Sequence, residues 1–422
     1  MLNPRKFLNS LFEIAVEKAL PRECIPPFLP KSKIHGRMVV FGAGKASASM
    51  AEVVEQNYSA NMEGLVVTRY GHSVPCNKIE IIEAGHPIPD NNGMLGASKM
   101  LKLASELKEE DMVICLISGG GSSLLSLPAP GLNLRHKQKI TSDLLRSGAT
   151  IHEINVIRKH LSSIKGGRLA IACYPAKIIT LAISDVSGDD MGVIASGPTY
   201  EDSSTFADAL KILQKYKITN PKSVLDYLKN ATDETPKPGD YRLENVENYL
   251  VATSKNSLEA SAKFAEQSEV IPLILSDRVE GESREVGRIH ALKAIDLQKK
   301  LRSHSKPLVL LSGGETCVTV KGSGLGGPNT EYLLSMLIEL KGQAGISAIA
   351  CDTDGIDGLG DNAGAFISPD SLTISESLGL NPLNFLTNND SYNFFSKLRS
   401  LISPGPTLTN VSDFRAILIT PL

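Results

Sequence analysis

Apolar positions along this chain recur with two different periods. Short, nearly continuous apolar runs stand between longer stretches in which apolar residues return every three or four positions. "RMVVFGAG" (37–44) predicts a strand that runs into a turn, and the segment after it sets Ala46, Met50, Val53 and Val54 on one helix face. "EGLVVTR" (63–69) and "KIEIIEAG" (78–85) predict further strands, and 89–107 predicts a helix capped by Asp90 or Asn91. "DMVICLIS" (111–118) and "AKIITLAISD" (176–185) are apolar almost throughout, the mark of strands covered on both faces in a parallel sheet. Strand–helix alternation of this kind predicts an open α/β sheet.

The pattern lapses over 230–248, where Pro236, Pro238 and Gly239 lie among polar residues with little that could pack. A domain boundary is expected there, giving domains 1–238 and 239–422. Beyond it the alternation resumes, with strands expected at 249–254, 270–276, 307–314, 346–352 and 414–420 and helices around 256–267, 282–303 and 329–341. Alternating residues at 316–322 predict a short extra strand, so the second sheet is expected to be mixed. The N-terminal twenty residues, broken by Glu13, Glu17 and Lys18, predict an amphipathic surface helix and no signal peptide.

Composition narrows the function. Of 422 residues, 42 % are hydrophobic and 21 % charged, with a net charge of −2, so no broad basic face is available for nucleic acid. Aromatics make up 5 % and tryptophan is absent, which argues against base-stacking platforms. No apolar run approaches the ~18 residues that would span a bilayer. Cys24, Cys76, Cys115, Cys173, Cys317 and Cys351 form no CxxC pair, and two of them sit in strand-like runs, which suits a reducing cytoplasm. The partners expected are small molecules, with no nucleic acid or membrane, and a homodimer is an admissible assembly.

The candidate chemistry lies at predicted strand ends, where open α/β sheets bind ligands. Six glycines fall within "LSGGETCVTVKGSGLGGPNTE" (311–331), and "CLISGGGSSLL" (115–125) shows the same order of strand, Ser-Gly-Gly and polar residue. Glycine that dense implies close backbone approach or a turn where a Cβ would clash. Gly44 and Lys45 close a strand and open a helix, an anion site with a positive charge in its first turn. The spacing matches neither a Walker A loop nor G-x-G-x-x-G. Ser118, Gly119, Gly120, Gly121 and Ser122 can form a nest of N–H and hydroxyl donors for phosphate or carboxylate. Asp185, Asp189 and Asp190 crowd one strand end and Asp352, Asp354 and Asp357 another, as magnesium-binding carboxylates would. Arg158, Lys159, His160, Lys165 and Arg168 form a basic segment that could face an anion. Glycine cradles, acidic strand ends and isolated cations are the parts of a phosphoryl-transfer site, and the loop 311–331 is then expected to approach a nucleotide phosphate chain.

Read in order, "GAGKAS", "GHPIPD", "SGGGSSLL", "EINVIRKHLSSIKGGRLA", "SDVSGDD", "ASGPT", "SGGETCVTVKGSGLGGPN", "DTDGIDG" and "GPTLTNVSD" resemble the glycerate kinases of the MOFRL type, or class II glycerate 2-kinases, over about residues 5–420. The resemblance implies a Rossmann-like N-terminal domain, a C-terminal α/β domain with the active site in the cleft between them, and ATP with Mg2+ as phosphoryl donor and metal. The implied reaction converts D-glycerate to 2-phosphoglycerate and ADP. The alternatives are a 3-phosphate product, an NAD(P)H-dependent hydroxypyruvate reductase and a non-catalytic sugar-phosphate sensor.

On these motifs the expected catalytic residues are Lys45, Asp189 and Arg158. Gly44, Ser118, Gly119, Gly120, Gly121, Ser122 and Lys165 are expected to bind substrate or phosphate. Gly313, Gly314, Glu315, Lys321, Gly326, Gly327 and Asn329 are expected to bind the nucleotide, and Asp185, Asp190 and Asp354 the metal. The resemblance implies Gly-Gly-Arg-Asn-Gln-Glu in many members where this chain has Gly326-Gly327-Pro328-Asn329-Thr330-Glu331, so either a cation such as Lys321 or Arg158 takes over the contact made by that arginine, or substrate use differs.

Overall fold

The computed structural model describes residues 2–31, 34–58 and 61–422. The chain divides into two compact units: Pro21–Val251, and Ala252–Leu422 together with the N-terminal segment that carries the helix Pro4–Ala19. No helix among the described residues is long and apolar enough to cross a membrane.

The Pro21–Val251 unit holds strands β1 (Met38–Ala43), β2 (Met62–Arg69), β3 (Ile79–Ala84), β4 (Met112–Ile117), β5 (Lys177–Ile183) and β6 (Val246–Ala252) in one sheet. Their order is β3-β2-β1-β4-β5-β6, and every pairing from β3 to β5 is parallel. The order reverses between β1 and β4, whose register sets Ala43 beside Ile117. A crevice is expected beyond the carboxyl ends at such a reversal. All six residues of β1, and all but the first of β4 and of β5, are buried, as their continuous apolar runs predict. Asp90 caps the helix Asn91–Ala104 through the Gly93 N–H. A second core, around Ile140, Leu144, Ile154, Ile157 and Phe206, joins the helices Leu134–Arg146, Ile151–His160, Phe206–Lys215 and Lys222–Asn230.

The other unit holds β7 (Ile271–Ser276), β8 (Gly281–Glu282), β9 (Leu308–Gly314), β10 (Thr316–Cys317), β11 (Ile346–Asp352), β12 (Gly364–Ile367), β13 (Leu401–Ile402) and β14 (Asp413–Ile419). Its main sheet runs β13-β12-β11-β14-β9-β7. The sheet is mixed, as expected: β9 pairs β7 in parallel, and the other pairings are antiparallel. Alternate residues serve opposite faces. Leu310, Ala348, Ala350 and Ile417 pack with Tyr332, Leu333 and Leu337 of the helix Pro328–Leu340. Val309, Leu311, Ile349 and Phe414 pack with Phe7, Leu8, Leu11 and Phe12.

Four expectations change. The division falls at 251/252 and not at 238/239, because β6 extends the N-terminal sheet instead of opening the second one. The stretch 230–248 also packs: Thr235 and Pro236 are buried, Thr235 Oγ1 donates to Asp202, and the Asp202 N–H donates to the Pro236 carbonyl. The first helix is a core element of the second unit, since Ser257 and Ser261 hydroxyls bond the Ala15 and Leu11 carbonyls. At 316–322 only Thr316–Cys317 is a strand, paired with Gly281–Glu282, because the N–H groups of Lys321 and Gly322 both donate to Asn389 Oδ1.

Candidate active site

At the reversal between β1 and β4 the two glycine turns interlock. The Lys45 N–H donates to the Gly119 carbonyl (2.8 Å) and the Ala46 N–H to Ser118 Oγ (3.0 Å). A Cβ on Gly44 would overlap Ser118, so the two turns can approach this closely only with glycine there. At Gly120, where φ is +82°, an added Cβ would lie 2.9 Å from His86 Cδ2 and 3.3 Å from Lys45 Cγ. The His86 ring and the Lys45 stem therefore flank this glycine. The Gly121 N–H donates to the Ser118 carbonyl, while neither Gly119 nor Gly120 donates a backbone hydrogen bond among the described residues. Lys45 is half-buried, and its carbonyl lies 3.3 Å from Nδ1 of buried His72.

Behind Gly121 lies a turn that the sequence did not single out as part of the site. Ala195, Ser196 and Gly197 have successive φ values of +50°, +62° and +57°. Left-handed backbone at two adjacent non-glycine residues costs roughly 1–3 kcal/mol each and persists only when its surroundings hold it. Here the holding contacts are explicit. The Gly166 N–H donates to the Ser196 carbonyl and the Gly167 N–H to the Gly197 carbonyl. Ser196 Oγ donates to Asn155 Oδ1 (2.9 Å) and lies 2.9 Å from Ser122 Oγ. A Cβ on Gly121 would sit 2.6 Å from Ala195 Cβ, so this turn packs directly under the glycine turn.

The basic segment separates into two groups. Lys159 pairs with Asp202, His160 Nε2 lies 3.2 Å from Glu234, and Arg168 pairs with Asp233. These charges are neutralised within the unit. Arg158 and Lys165 are paired with no carboxylate among the described residues. Lys165 is fully buried and donates only to the Ala195 carbonyl (3.2 Å). Burial, then the charges of Lys137 and Arg158, hold its pKa well below the usual lysine range. Lys137 joins them from the helix Leu134–Arg146. It is 7 % exposed, and its Nζ has no hydrogen-bond partner. Burial, then Arg158, pulls it down to about 7, and burial also lowers the half-buried Arg158. Lys137 was missed in the sequence because single lysines are usually solvated. A signal was available: Lys137, Ile140 and Leu144 share one helix face, and that face is buried.

The acidic residues behave less uniformly. Asp189 (φ +57°) is half-buried, and the neighbouring Asp190 is exposed and accepts the Gly192 N–H with Oδ1 (2.8 Å). Asp185 follows β5 at the same sheet edge. Among the described residues no three His, Cys, Asp or Glu side chains are grouped to hold a metal. A magnesium ion that takes one or two carboxylates and completes its shell with phosphate oxygens needs no such group of three. The unpaired cations of Lys137, Arg158 and Lys165 fit the phosphates of ATP or an acceptor carboxylate.

The loop 311–331 belongs to the other unit, and its glycines meet their own chain. A Cβ on Gly322 or Gly324 would strike Asn388 and Asp390, one on Gly326 would strike Ser391, and one on Gly327 would lie 2.4 Å from the Asp357 carboxylate. Gly313 packs on Ser254, and Gly314 (φ +108°) on Val279. The helix N-terminus expected to face phosphate is occupied by Asp357: Asn329 N–H donates to Oδ1 (2.9 Å), and Thr330 N–H (2.9 Å) and Oγ1 (2.7 Å) donate to Oδ2. That is a correction. A carboxylate from the chain itself already stabilises the helix dipole there. Burial, opposed by the Thr330 hydroxyl and the two N–H donors, leaves Asp357 raised to about 6.

Asn329 Nδ2 donates to Asp413, which pairs with fully buried Arg415. Register sets Asp352, Asp413 and Gly314 side by side at one sheet edge. Asp354 is buried and accepts the Ile356 N–H. Glu315 and Lys321 are exposed.

The family models that match this chain are a domain of unknown function, DUF4147, over residues 7–229, and the MOFRL family over residues 308–413. A protein of Agrobacterium vitis that carries the provisional name hydroxypyruvate reductase is 48 % identical over 99 % of this chain and 95 % of its own. The D-glycerate 2-kinase of Thermotoga maritima is 41 % identical over 98 % of each chain. The crystal structure of glycerate kinase from T. maritima superimposes with a TM-score of 0.89 at 41 % identity, over 98 % of this chain and 99 % of that one. Matched along nearly its whole length in sequence and in fold, the chain belongs to the MOFRL-type glycerate kinases.

Proposed function

We propose that the protein phosphorylates D-glycerate on its 2-hydroxyl with ATP and Mg2+, giving 2-phosphoglycerate and ADP. The observation that carries this reading is Lys165, fully buried with no carboxylate partner among the described residues and bonded to Ala195, which packs against Gly121 of the glycine turn at the β1/β4 reversal. Phosphoryl transfer needs little covalent chemistry from the protein; it needs positioning and charge. Lys45 and Arg158 neutralise charge on the transferring group. The Gly119 and Gly120 N–H groups, with Ser122, bind an oxyanion, and Asp189 accepts the proton of the attacking hydroxyl. Magnesium supplies charge neutralisation when bound with the nucleotide, and Asp185 and Asp190 are the residues that would hold it. Glu315 and Lys321 remain the nucleotide-side candidates of the second unit, because the glycines around them are accounted for by packing. None of the six cysteines is in a disulfide, which supports a cytoplasmic, reducing location.

The order β3-β2-β1-β4-β5-β6 also occurs in dinucleotide-binding domains, and the name of the A. vitis relative points the same way. The first turn departs from the fingerprint here, since Ser47 stands where its third glycine allows close helix packing. One pair of assays separates the readings. ADP release from ATP, Mg2+ and D-glycerate, with 2-phosphoglycerate identified by mass and retention, is the expected result. Oxidation of NADPH by hydroxypyruvate without ADP release would replace the kinase by a reductase.

A further inference from the structure

Lys137 poses a question that the reading above does not answer. An ammonium removed from water without a partner costs several kcal/mol, and proteins seldom tolerate one without a use for it. Arg158 is near enough to act on the charge of Lys137, and both are near enough to act on that of Lys165. The helix Ile151–His160 carries Arg158, and three residues earlier on the same face it carries Asn155, which bonds Ser196 and through it reaches Ser122. Lys165 donates to Ala195, which packs against Gly121. Lys165 and the helix carrying Arg158 are therefore tied to the glycine turn. The nearby carboxylates Asp202, Glu234 and Asp233 are engaged with Lys159, His160 and Arg168. The helix carrying Lys137 is tied to the loop containing His86 by Gln138 Nε2, which donates to the Pro89 carbonyl.

We propose that Lys137, with Arg158 and Lys165, is a receptor for one oxyanionic group of the bound reactants, and that Lys137 donates to it directly. The group is either the acceptor's carboxylate or a phosphoryl group. Which of them it is rests on the glycerate-kinase reading; that an anion binds at Lys137 does not.

The test uses the full chain and its Lys137→Met variant, with D-glycerate alone and inorganic phosphate alone as probes, followed by calorimetry and thermal unfolding. The wild type is expected to bind at least one probe, and the variant to lose about tenfold or more of that affinity, the loss expected of a charge-assisted hydrogen bond. Loss confined to D-glycerate identifies the carboxylate, and loss confined to phosphate identifies the phosphoryl group. Without ligand the variant is expected to melt above the wild type, because an unpaired buried charge is gone. A purely structural lysine would give the opposite shift. The proposal is overturned by a variant that binds both probes as the wild type does, by a wild type that binds neither, or by a variant that melts lower. Absence of ADP formation with retained, Lys137-dependent phosphate binding would sink the kinase reading and leave this one standing.

Discussion

Two Ser-Gly-Gly turns look alike in the sequence and are put to different use. In the first, at 118–121, the backbone folds tightly against the Lys45 turn, two glycine N–H groups are left without a backbone acceptor, and buried cations nearby lack a counter-ion. In the second, at 312–314 with the glycines that follow, the loop N–H groups and the helix N-terminus are bonded within the chain, while Asn329 Oδ1 and Arg415 Nε and Nη1 are left without a partner. Asp357 caps the helix Pro328–Leu340, Asn389 takes two loop N–H groups, and Asn388, Asp390 and Ser391 fill the space a Cβ would need. Glycine density reports close approach but not what is approached. What separates the two turns is which N–H groups and charges their own chain leaves unanswered.

If that contrast is right, the largest effect comes from Lys45. Lys45→Ala is expected to lower kcat about a hundredfold to a thousandfold, the cost of removing one positioned charge donor from a transition state. Melting should stay within a degree or two. Near-normal turnover would remove the first turn from the chemistry.

The next effect should fall on stability in the second loop. Gly327→Val drives side-chain atoms into the Asp357 carboxylate. A cost on the order of 2–3 kcal/mol is expected, with the KM for ATP unchanged in the protein that stays folded at low temperature. The sequence alone predicts the reverse, a nucleotide effect. A variant with wild-type stability and a raised KM for ATP would restore that view.

Most of the fold was legible because the strands are long apolar runs and the helices carry clear three-to-four periodicity. The Lys45 and Ser118 turns were legible for a related reason: glycine after a buried strand is a local signal. What could not be read was who partners whom. Nothing local to Arg158 and Lys159 shows that Asp202 neutralises the second and leaves the first unpaired. Nothing near Gly327 announces Asp357, thirty residues on, as its neighbour. Ala195 and Ser196 are ordinary residues whose left-handed backbone depends on contacts from Gly166 and Asn155. The domain boundary moved for the same reason, since pairing with β5 decides where β6 belongs.

A smaller effect tests the charge contrast through pH. Lys137 has a pKa of about 7 in the folded protein against 10.5 for an ordinary lysine. Between those values the unfolded chain binds a proton that the folded chain does not, so the stability contribution of this site rises with pH. Below about pH 7 the folded protein bears the full penalty. Lys137→Met should therefore stabilise by roughly 2 kcal/mol near pH 6, within the range seen when buried ions are replaced by apolar groups. The advantage should fade as pH climbs through this window. Thermal melts of both proteins across it check the sign, and an advantage that grows with pH would show that the ammonium is not the destabilising group.

The smallest effect is expected at Lys321, and it decides whether the second loop touches the nucleotide at all. The side chain is exposed, and the backbone on either side is pinned to Asn389 Oδ1. An exposed ammonium near a phosphate works through water-screened attraction, typically about 1 kcal/mol or less. Where the family resemblance implies an arginine this chain has Pro328, and Lys321 is the nearest cation before it in sequence. If the loop is shaped by its own packing and the anion is bound at the first turn, Lys321→Ala should change the KM for ATP by less than about threefold, with kcat and the KM for D-glycerate unaltered. The residual change should vanish at high ionic strength, where exposed charges are screened. A tenfold rise that survives added salt would mean a desolvated contact with the nucleotide. Both turns would then be ligand sites, and the difference between them would lie in which reactant each one holds.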